Sequence, residues 1–235
     1  MSELSRRIEE VRTRIAQAAR VAGRDPGEVR LVAVSKTFSA SDILEAVRAG
    51  LCCFGENRFQ EAAKKIPEVH EAGATGLEWH FVGQLQRNKA RKAAQLFDVI
   101  QSVDRPELAA DLERAAKMAG RQQRILINVN IDEEPQKGGV SPAGVADLLA
   151  RIDALPHLQP LGLMTIPRAC EDPEEVRPSF AQLRRLLEEL NRGRSGEHRL
   201  AELSMGMSAD YEIAIQEGAT WVRIGTAIFG ERRTR

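Results

Sequence analysis

Cysteine is scarce: Cys52, Cys53 and Cys170 are an odd count with no C-x-x-C spacing. That pattern supports neither a disulfide framework nor a structural zinc site, so reduced thiols are expected. Aromatic residues make up only 4% of the chain. None lies in the densest basic run, "QRNKARK" with Arg87, Lys89, Arg91 and Lys92, so base stacking has no platform there and the run reads as a solvated helix face. An RNA or an acidic partner is the minor alternative for it. Net charge is absent as well, with 34 basic and 34 acidic residues, which leaves no global field to recruit nucleic acid or an anionic membrane. No apolar run approaches the roughly 18 residues of a membrane span. The opening "MSELSRRIEEVRTRI" lacks the apolar stretch of a signal peptide, and a cytoplasmic protein is expected. The histidines at 70, 80, 157 and 198 show no ligand spacing, so no metal is expected.

What the chain does contain is alternation. Its 235 residues are 43% hydrophobic, enough for one large core and a single domain over residues 1–235. Leu4, Ile8, Val11, Ile15 and Ala19 recur at helical spacing, predicting an amphipathic helix within residues 1–23 that packs on the rest. Eight strand-like stretches follow: "VRLVAVS", "CCFG", "LEWHFVG", "DVIQSV", "RILINVNI", "LGLMTIP", "AELSMGMS" and "WVRIGTAIFG". Seven helical segments separate them. Asn57 with Gln60, and Asp104 with Glu107, have capping-box spacing, while Gly50 and Gly120 mark helix ends. This order predicts an α/β fold, a closed parallel (β/α)8 barrel in which the N-terminal helix takes the place of the missing eighth. An open doubly wound sheet would announce itself by a glycine-rich first turn, and here that turn is "SKTFSAS".

In such a barrel the functional groups stand at the carboxyl ends of the strands. The first strand ends in Lys36, behind Leu31, Val32, Ala33 and Val34. A buried ammonium is costly unless it is paired or neutralised, and a neutral amine is the nucleophile that condenses with an aldehyde. The competing reading is a lysine that snorkels from the barrel mouth or pairs with Glu56. Near the other end, "SMGMSADYEIA" puts Ser208 where a strand turns into a helix, and "RIGTA" follows the next strand with Gly225 and Thr226. Two adjacent loops are thereby suited to holding one phosphate. Taken singly, Ser208 also reads as an N-cap and Gly225 as a packing residue.

The stretches "VAVSKT", "FGENRFQE", "WHFVGQLQRNK" and "LSMGMSADYEIAIQEGATWVRIGTAIFG", in order from about residue 5 to residue 231, resemble the pyridoxal phosphate homeostasis protein family. That family is related to the N-terminal barrel of alanine racemase, a fold-type III barrel. The resemblance implies pyridoxal 5'-phosphate (PLP) held as an internal aldimine on Lys36. It further implies phosphate contacts from Ser208, Gly225 and Thr226, Arg223 facing the pyridine nitrogen, and Asn57 near the cofactor, although capping alone would also account for Asn57. Lys137 in "DEEPQKGG" matches a lysine common in the family and is a candidate second aldehyde acceptor, against the simpler reading of an exposed loop lysine. Arg58 and Phe38 depart from the family pattern, where tyrosine and a second lysine occur.

An arginine at the ring nitrogen donates without surrendering a proton, which leaves the ring a weak electron sink. The chain also ends at Arg235, directly after the eighth strand, where the racemase continues into a C-terminal β-domain, and its one tyrosine, Tyr211, reads as part of the seventh helix. These features imply no catalytic residues and no efficient turnover. The expected function is PLP binding for homeostasis and delivery, with apo PLP-dependent enzymes as recipients and a monomeric state. The alternatives are a low-activity amino-acid racemase, a sugar-phosphate barrel enzyme using Lys36 as a Schiff base, and a basic adaptor for RNA.

Overall fold

The computed structural model describes residues 2–231; residue 1 and residues 232–235 of the expected unit, including the end at Arg235, lie outside them. Helix α1 (Glu3–Val21) begins where Ser2 accepts a hydrogen bond from the Ser5 N–H, and it buries Ile8, Val11, Ile15, Ala18 and Ala19. This is the apolar stripe read from the sequence. Strand β1 (Arg30–Val34) is followed by α2 (Ala40–Arg48), opened by a reciprocal capping box between Ser39 and Asp42. Then come β2 (Cys53–Glu56), α3 (Phe59–Glu71), β3 (Glu78–Phe81), α4 (Ala90–Leu96), β4 (Val99–Val103) and α5 (Pro106–Met118). The second half continues with β5 (Gln123–Val129), α6 (Val145–Asp153), β6 (Leu158–Thr165), α7 (Arg177–Leu190), β7 (Glu202–Ser204), α8 (Tyr211–Gln216), β8 (Trp221–Ile224) and α9 (Thr226–Phe229).

Every strand pairs in parallel with the next, and β8 returns to β1 with Arg30 opposite Trp221 and Ala33 opposite Ile224, closing an eight-stranded barrel. Between barrel and helices lies the main core, where Phe54, Phe81, Phe97 and Phe180 are fully buried. Each such side chain contributes about 1.5–3 kcal/mol through removal from water. Inside the barrel a second cluster of Val32, Val99, Leu126, Met164 and Trp221 fills the lumen. Among the described residues no helix is long and apolar enough to cross a membrane.

Four local expectations need correction. The eighth strand stops at Ile224, and "TAIF" forms a single helical turn, α9, so a helix does follow the last strand; α1 packs against α8, α9 and α2 and completes the outer ring. Neither predicted capping box at α3 or α5 forms: both helices start one residue later, at N-caps Arg58 and Arg105, with no side-chain bond to the cap. Pro106 explains the second case, because it supplies the first helical position at no cost in hydrogen bonds. Ser208 is not an N-cap either, since Asp210 holds that position for α8.

Candidate functional site

The carboxyl ends of the strands surround a cavity of about 560 Å³. Lys36, Asn57, Ser208, Arg223, Gly225 and Thr226, taken from four separate stretches of the sequence, all line it, and so does Lys137. Among the described lining residues the ionisable side chains are Lys36, Lys137 and Arg223, with no carboxylate, histidine, cysteine or tyrosine. The wall is otherwise apolar or neutral, with Val34, Val82, Met164 and Ile166 beside Gln84, Ser102 and Asn128. A basic pocket of this size with an apolar wall suits a small anionic ligand with an apolar body.

Lys36 is half-buried and lies just past the paired residues of β1, at the mouth and not within the strand. Its backbone setting is tightly held. The buried Ser35 hydroxyl donates to Glu56 Oε1 at 2.7 Å, and the Lys65 ammonium donates to the Ser35 carbonyl at 2.8 Å, to Glu56 Oε1 at 2.7 Å and to Glu61 Oε1 at 2.8 Å. Glu61 Oε1 also accepts from the Thr37 N–H at 2.5 Å. Thr37 itself adopts φ +70°, a left-handed conformation that is strained for a β-branched residue. Residues 35 to 37 are thus clamped from beneath by three charged groups on β2 and α3. Burial raises the pKa of Glu56, and the Lys65 charge and the bonds from Lys65 and Ser35 oppose that shift. Glu56, the partner proposed for Lys36, is therefore engaged by Lys65 and Ser35.

On β8, the neighbouring strand that pairs Arg223 with Val32 of β1, Arg223 is 4% exposed. Its guanidinium donates to Ser204 Oγ at 2.6 Å and to the Thr165 carbonyl at 2.8 Å, which fixes its plane. Burial pulls its pKa down to about 10, against the raising influence of Asp210, so the group stays cationic at neutral pH. Behind Arg223 a polar file crosses the lumen: Ser204 Oγ donates to Gln101 Oε1 at 2.6 Å, and Gln101 Nε2 meets His80 Nδ1 at 2.6 Å. His80, at the far end of this file, lines a different cavity at the amino-terminal end of the barrel.

Ser208 accepts from the Ala227 N–H at 3.3 Å, tying the loop after β7 to the first turn of α9. Gly225 passes close to β1, where an added Cβ would lie 3.1 Å from the Val34 carbonyl oxygen. Asn57 caps nothing, and its buried Oδ1 has no hydrogen-bond partner among the described residues; the Ser102 hydroxyl is in the same condition. Two orphaned polar atoms on a cavity wall are a cost that a polar ligand removes. Lys137 is half-buried, held by the Pro167 carbonyl at 2.8 Å and by Glu134, so the exposed loop lysine expected from the sequence is replaced by one at the cavity rim. Phe38 lines the cavity and stacks on Phe229 with ring centroids 4.9 Å apart.

Sequence reasoning missed the clamp of Glu56, Glu61 and Lys65. A signal was present: Lys65 falls on the same helical face as Ala62, Ile66 and Val69, where an unpaired lysine would be prohibitive.

Residues 7–233 match the family model described as alanine racemase, N-terminal domain. The chain is 44% identical to the pyridoxal phosphate homeostasis protein of Aquifex aeolicus, covering 97% of each chain, and 42% identical to that of Escherichia coli K12, covering 99% of this chain and 98% of the other. The solved structure of PipY from Synechococcus elongatus PCC7942 with PLP bound has 39% identity and a TM-score of 0.85, covering 97% of this chain and all of that one. An alanine racemase from Clostridium difficile 630, at 14% identity and a TM-score of 0.69, shares the fold over 56% of its own length. A lysine after the first barrel strand, paired serine and glycine loops after the last two and this degree of identity over nearly the whole chain have one meaning: the chain belongs to the pyridoxal phosphate homeostasis protein family.

Proposed function

We propose that this chain binds pyridoxal 5'-phosphate in the carboxyl-end cavity and serves its homeostasis and delivery without efficient catalysis. The observation that carries the reading is the cavity's ionisable lining, which among the described residues is three basic side chains and no acid, around the orphaned Asn57 and Ser102 groups. Lys36 would join the cofactor's aldehyde through Nζ with loss of water. Ser208, Gly225 and Thr226 would hold the phosphate where two loops are already bridged, Arg223 would face the ring nitrogen, and Asn57 would complete a polar edge. Bound PLP supplies an electrophilic carbon and a ring able to accept electrons. Arg223, cationic and rigidly held, would donate a hydrogen bond to the ring nitrogen while keeping its own proton, and so would damp the second property. Tyr211, the one tyrosine, is 1% exposed and lies outside the cavity lining, which argues against its service as a proton carrier there.

The relatives named above as homeostasis proteins, and the PLP in PipY, support the same reading. The proposal includes a cytoplasmic monomer that hands the cofactor to apo PLP-dependent enzymes. The test is the visible absorption of purified protein beside Lys36→Ala, with borohydride reduction and mass mapping. A yellow band absent from the variant and a reduced adduct on Lys36 are expected. A colourless protein that takes up no added PLP would overturn the reading. Exchange of amino-acid α-protons in deuterated water, no faster than with free PLP, is expected of a carrier; clear acceleration would make it a racemase.

A further inference from the structure

At the amino-terminal end of the barrel, away from the cofactor cavity, Cys53 of β2 meets Glu78 and His80 of β3. The register places Cys53 beside Glu78, and His80 follows two residues on, so all three project to the same side of the sheet. Cys53 Sγ lies 3.6 Å from His80 Nε2, and Glu78 Oε1 lies 3.5 Å from the same nitrogen. All three ligand atoms fall within 4.8 Å of one another. A tetrahedral zinc ion with bonds of about 2.0–2.3 Å sets neighbouring ligand atoms about 3.3–3.6 Å apart. The two shorter separations match that spacing closely. These residues border a cavity of about 350 Å³, which also reaches Arg30, Leu51 and Trp221.

We propose that Cys53, Glu78 and His80 form a binding site for a borderline-soft divalent cation of the zinc class, with a fourth coordination position open to this cavity. Sulfur, imidazole and carboxylate together are a donor set for such an ion and a poor one for magnesium or calcium. Binding forms the metal–sulfur bond and releases the thiol proton to solvent. Charge around the site is suited to it. Glu78 and Asp98 face Cys53 together with the single cation Arg30, so a divalent ion offsets the negative charge that a thiolate would add; the ion would share Glu78 Oε1 with Arg124, 2.9 Å away.

The second shell is also built. The His80 ring is fixed between Gln101, 2.6 Å from Nδ1, and Trp221, whose ring centroid is 4.7 Å away. A half-turn of the Gln101 amide presents its oxygen to Nδ1–H and leaves the Nε2 lone pair for the metal. Gln101 Nε2 then faces Ser204 Oγ, which accepts from Arg223. The sequence hides this site because its ligands come from adjacent strands, 25 and 2 residues apart.

The test is titration of the EDTA-treated full chain with Co2+, read as a difference spectrum, then displacement by Zn2+ against a chromophoric chelator. One equivalent of Co2+ giving tetrahedral d–d absorption and a thiolate charge-transfer band is expected. Cys53→Ser should abolish the charge-transfer band, and Glu78→Gln should weaken Zn2+ binding at least tenfold while circular dichroism stays native. Cys52→Ser and Cys170→Ser should change neither. Should Cys53→Ser fail to fold, the wild type and Glu78→Gln decide the matter. Absence of the cobalt bands at millimolar metal, or binding that survives Cys53→Ser or Glu78→Gln unchanged, as it would if the cofactor cavity held the ion, overturns the proposal.

Discussion

Lys65 Nζ lies 2.7 Å from Glu56 Oε1, and the two groups are 6% and 0% exposed, a buried ion pair directly beneath the segment that carries Lys36. Taking both charges out of water is costly, and what repays it is saturation: the ammonium has three acceptors, one of them the Ser35 carbonyl. Lys65→Met is expected to destabilise the fold by about 3–5 kcal/mol in urea unfolding, because it strands the Glu56 carboxylate. Glu56→Gln combined with Lys65→Met should recover part of that loss. The same single variant should loosen residues 35–37 and slow formation of the yellow species on added PLP. A variant as stable as wild type would mean that the pair is incidental.

The bridge between Ser208 and Ala227 leads to a prediction about the phosphate. If the loops after β7 and β8 hold it, Ser208→Ala and Thr226→Val should each weaken PLP by about tenfold, the worth of one charge-assisted hydrogen bond. Pyridoxal, which lacks the phosphate, should lose almost nothing. Equilibrium titration of both ligands against both variants checks this, and equal weakening of PLP and pyridoxal would remove the phosphate from that corner.

The barrel was legible in the sequence because its eight short, β-branched or apolar strands and intervening amphipathic helices repeat one local grammar, and periodicity reports local burial directly. Lys36, Ser208, Gly225 and Thr226 were legible because a parallel barrel gathers its strand ends, so topology alone brings distant residues to one mouth. The clamp of Glu56, Glu61 and Lys65 was hidden, since its meaning depends on a lysine of α3 reaching a carbonyl 30 residues earlier. Asn57 was misread as a cap because a single residue shift in the start of α3 leaves its side chain in the cavity instead. Helix starts are set by which residue first gains tertiary support, and spacing does not record that.

Gly83 forms part of the cavity wall against Asn57. A Cβ placed there would lie 2.1 Å from the Asn57 carbonyl oxygen, and its nearest neighbours are all Asn57 backbone atoms, with no flexible side chain to yield. Gly83→Ala should therefore push the segment at Asn57 away from β3, costing about 1–3 kcal/mol of stability and reducing PLP affinity. Gly73→Ala serves as the control for stability alone, since its Cβ would meet no atom within 4 Å, although its φ of +87° imposes backbone strain. Native affinity for PLP in Gly83→Ala would show that the wall adjusts without involving the site.

Asp210 gives a prediction with a defined pH sign. It is 9% exposed, and its Oδ1 accepts from the Met207 N–H at 2.6 Å. Burial raises its pKa above the ordinary 3.8, and this outweighs the lowering influences of that hydrogen bond and of Arg223. The folded chain thus holds the Asp210 proton more tightly than the unfolded chain. Its stabilising contribution is complete below the unfolded value and is lost as pH rises through the folded value. Asp210→Asn keeps an oxygen for Met207 but carries no charge to desolvate. Relative to this variant, wild type should lose stability between pH 3.5 and neutrality, at values of about 4 and above, with the variant the more stable at pH 7. Urea midpoints for both proteins across that range decide it: a wild type that gains on the variant as pH rises would show that the Met207 and Arg223 interactions outweigh burial.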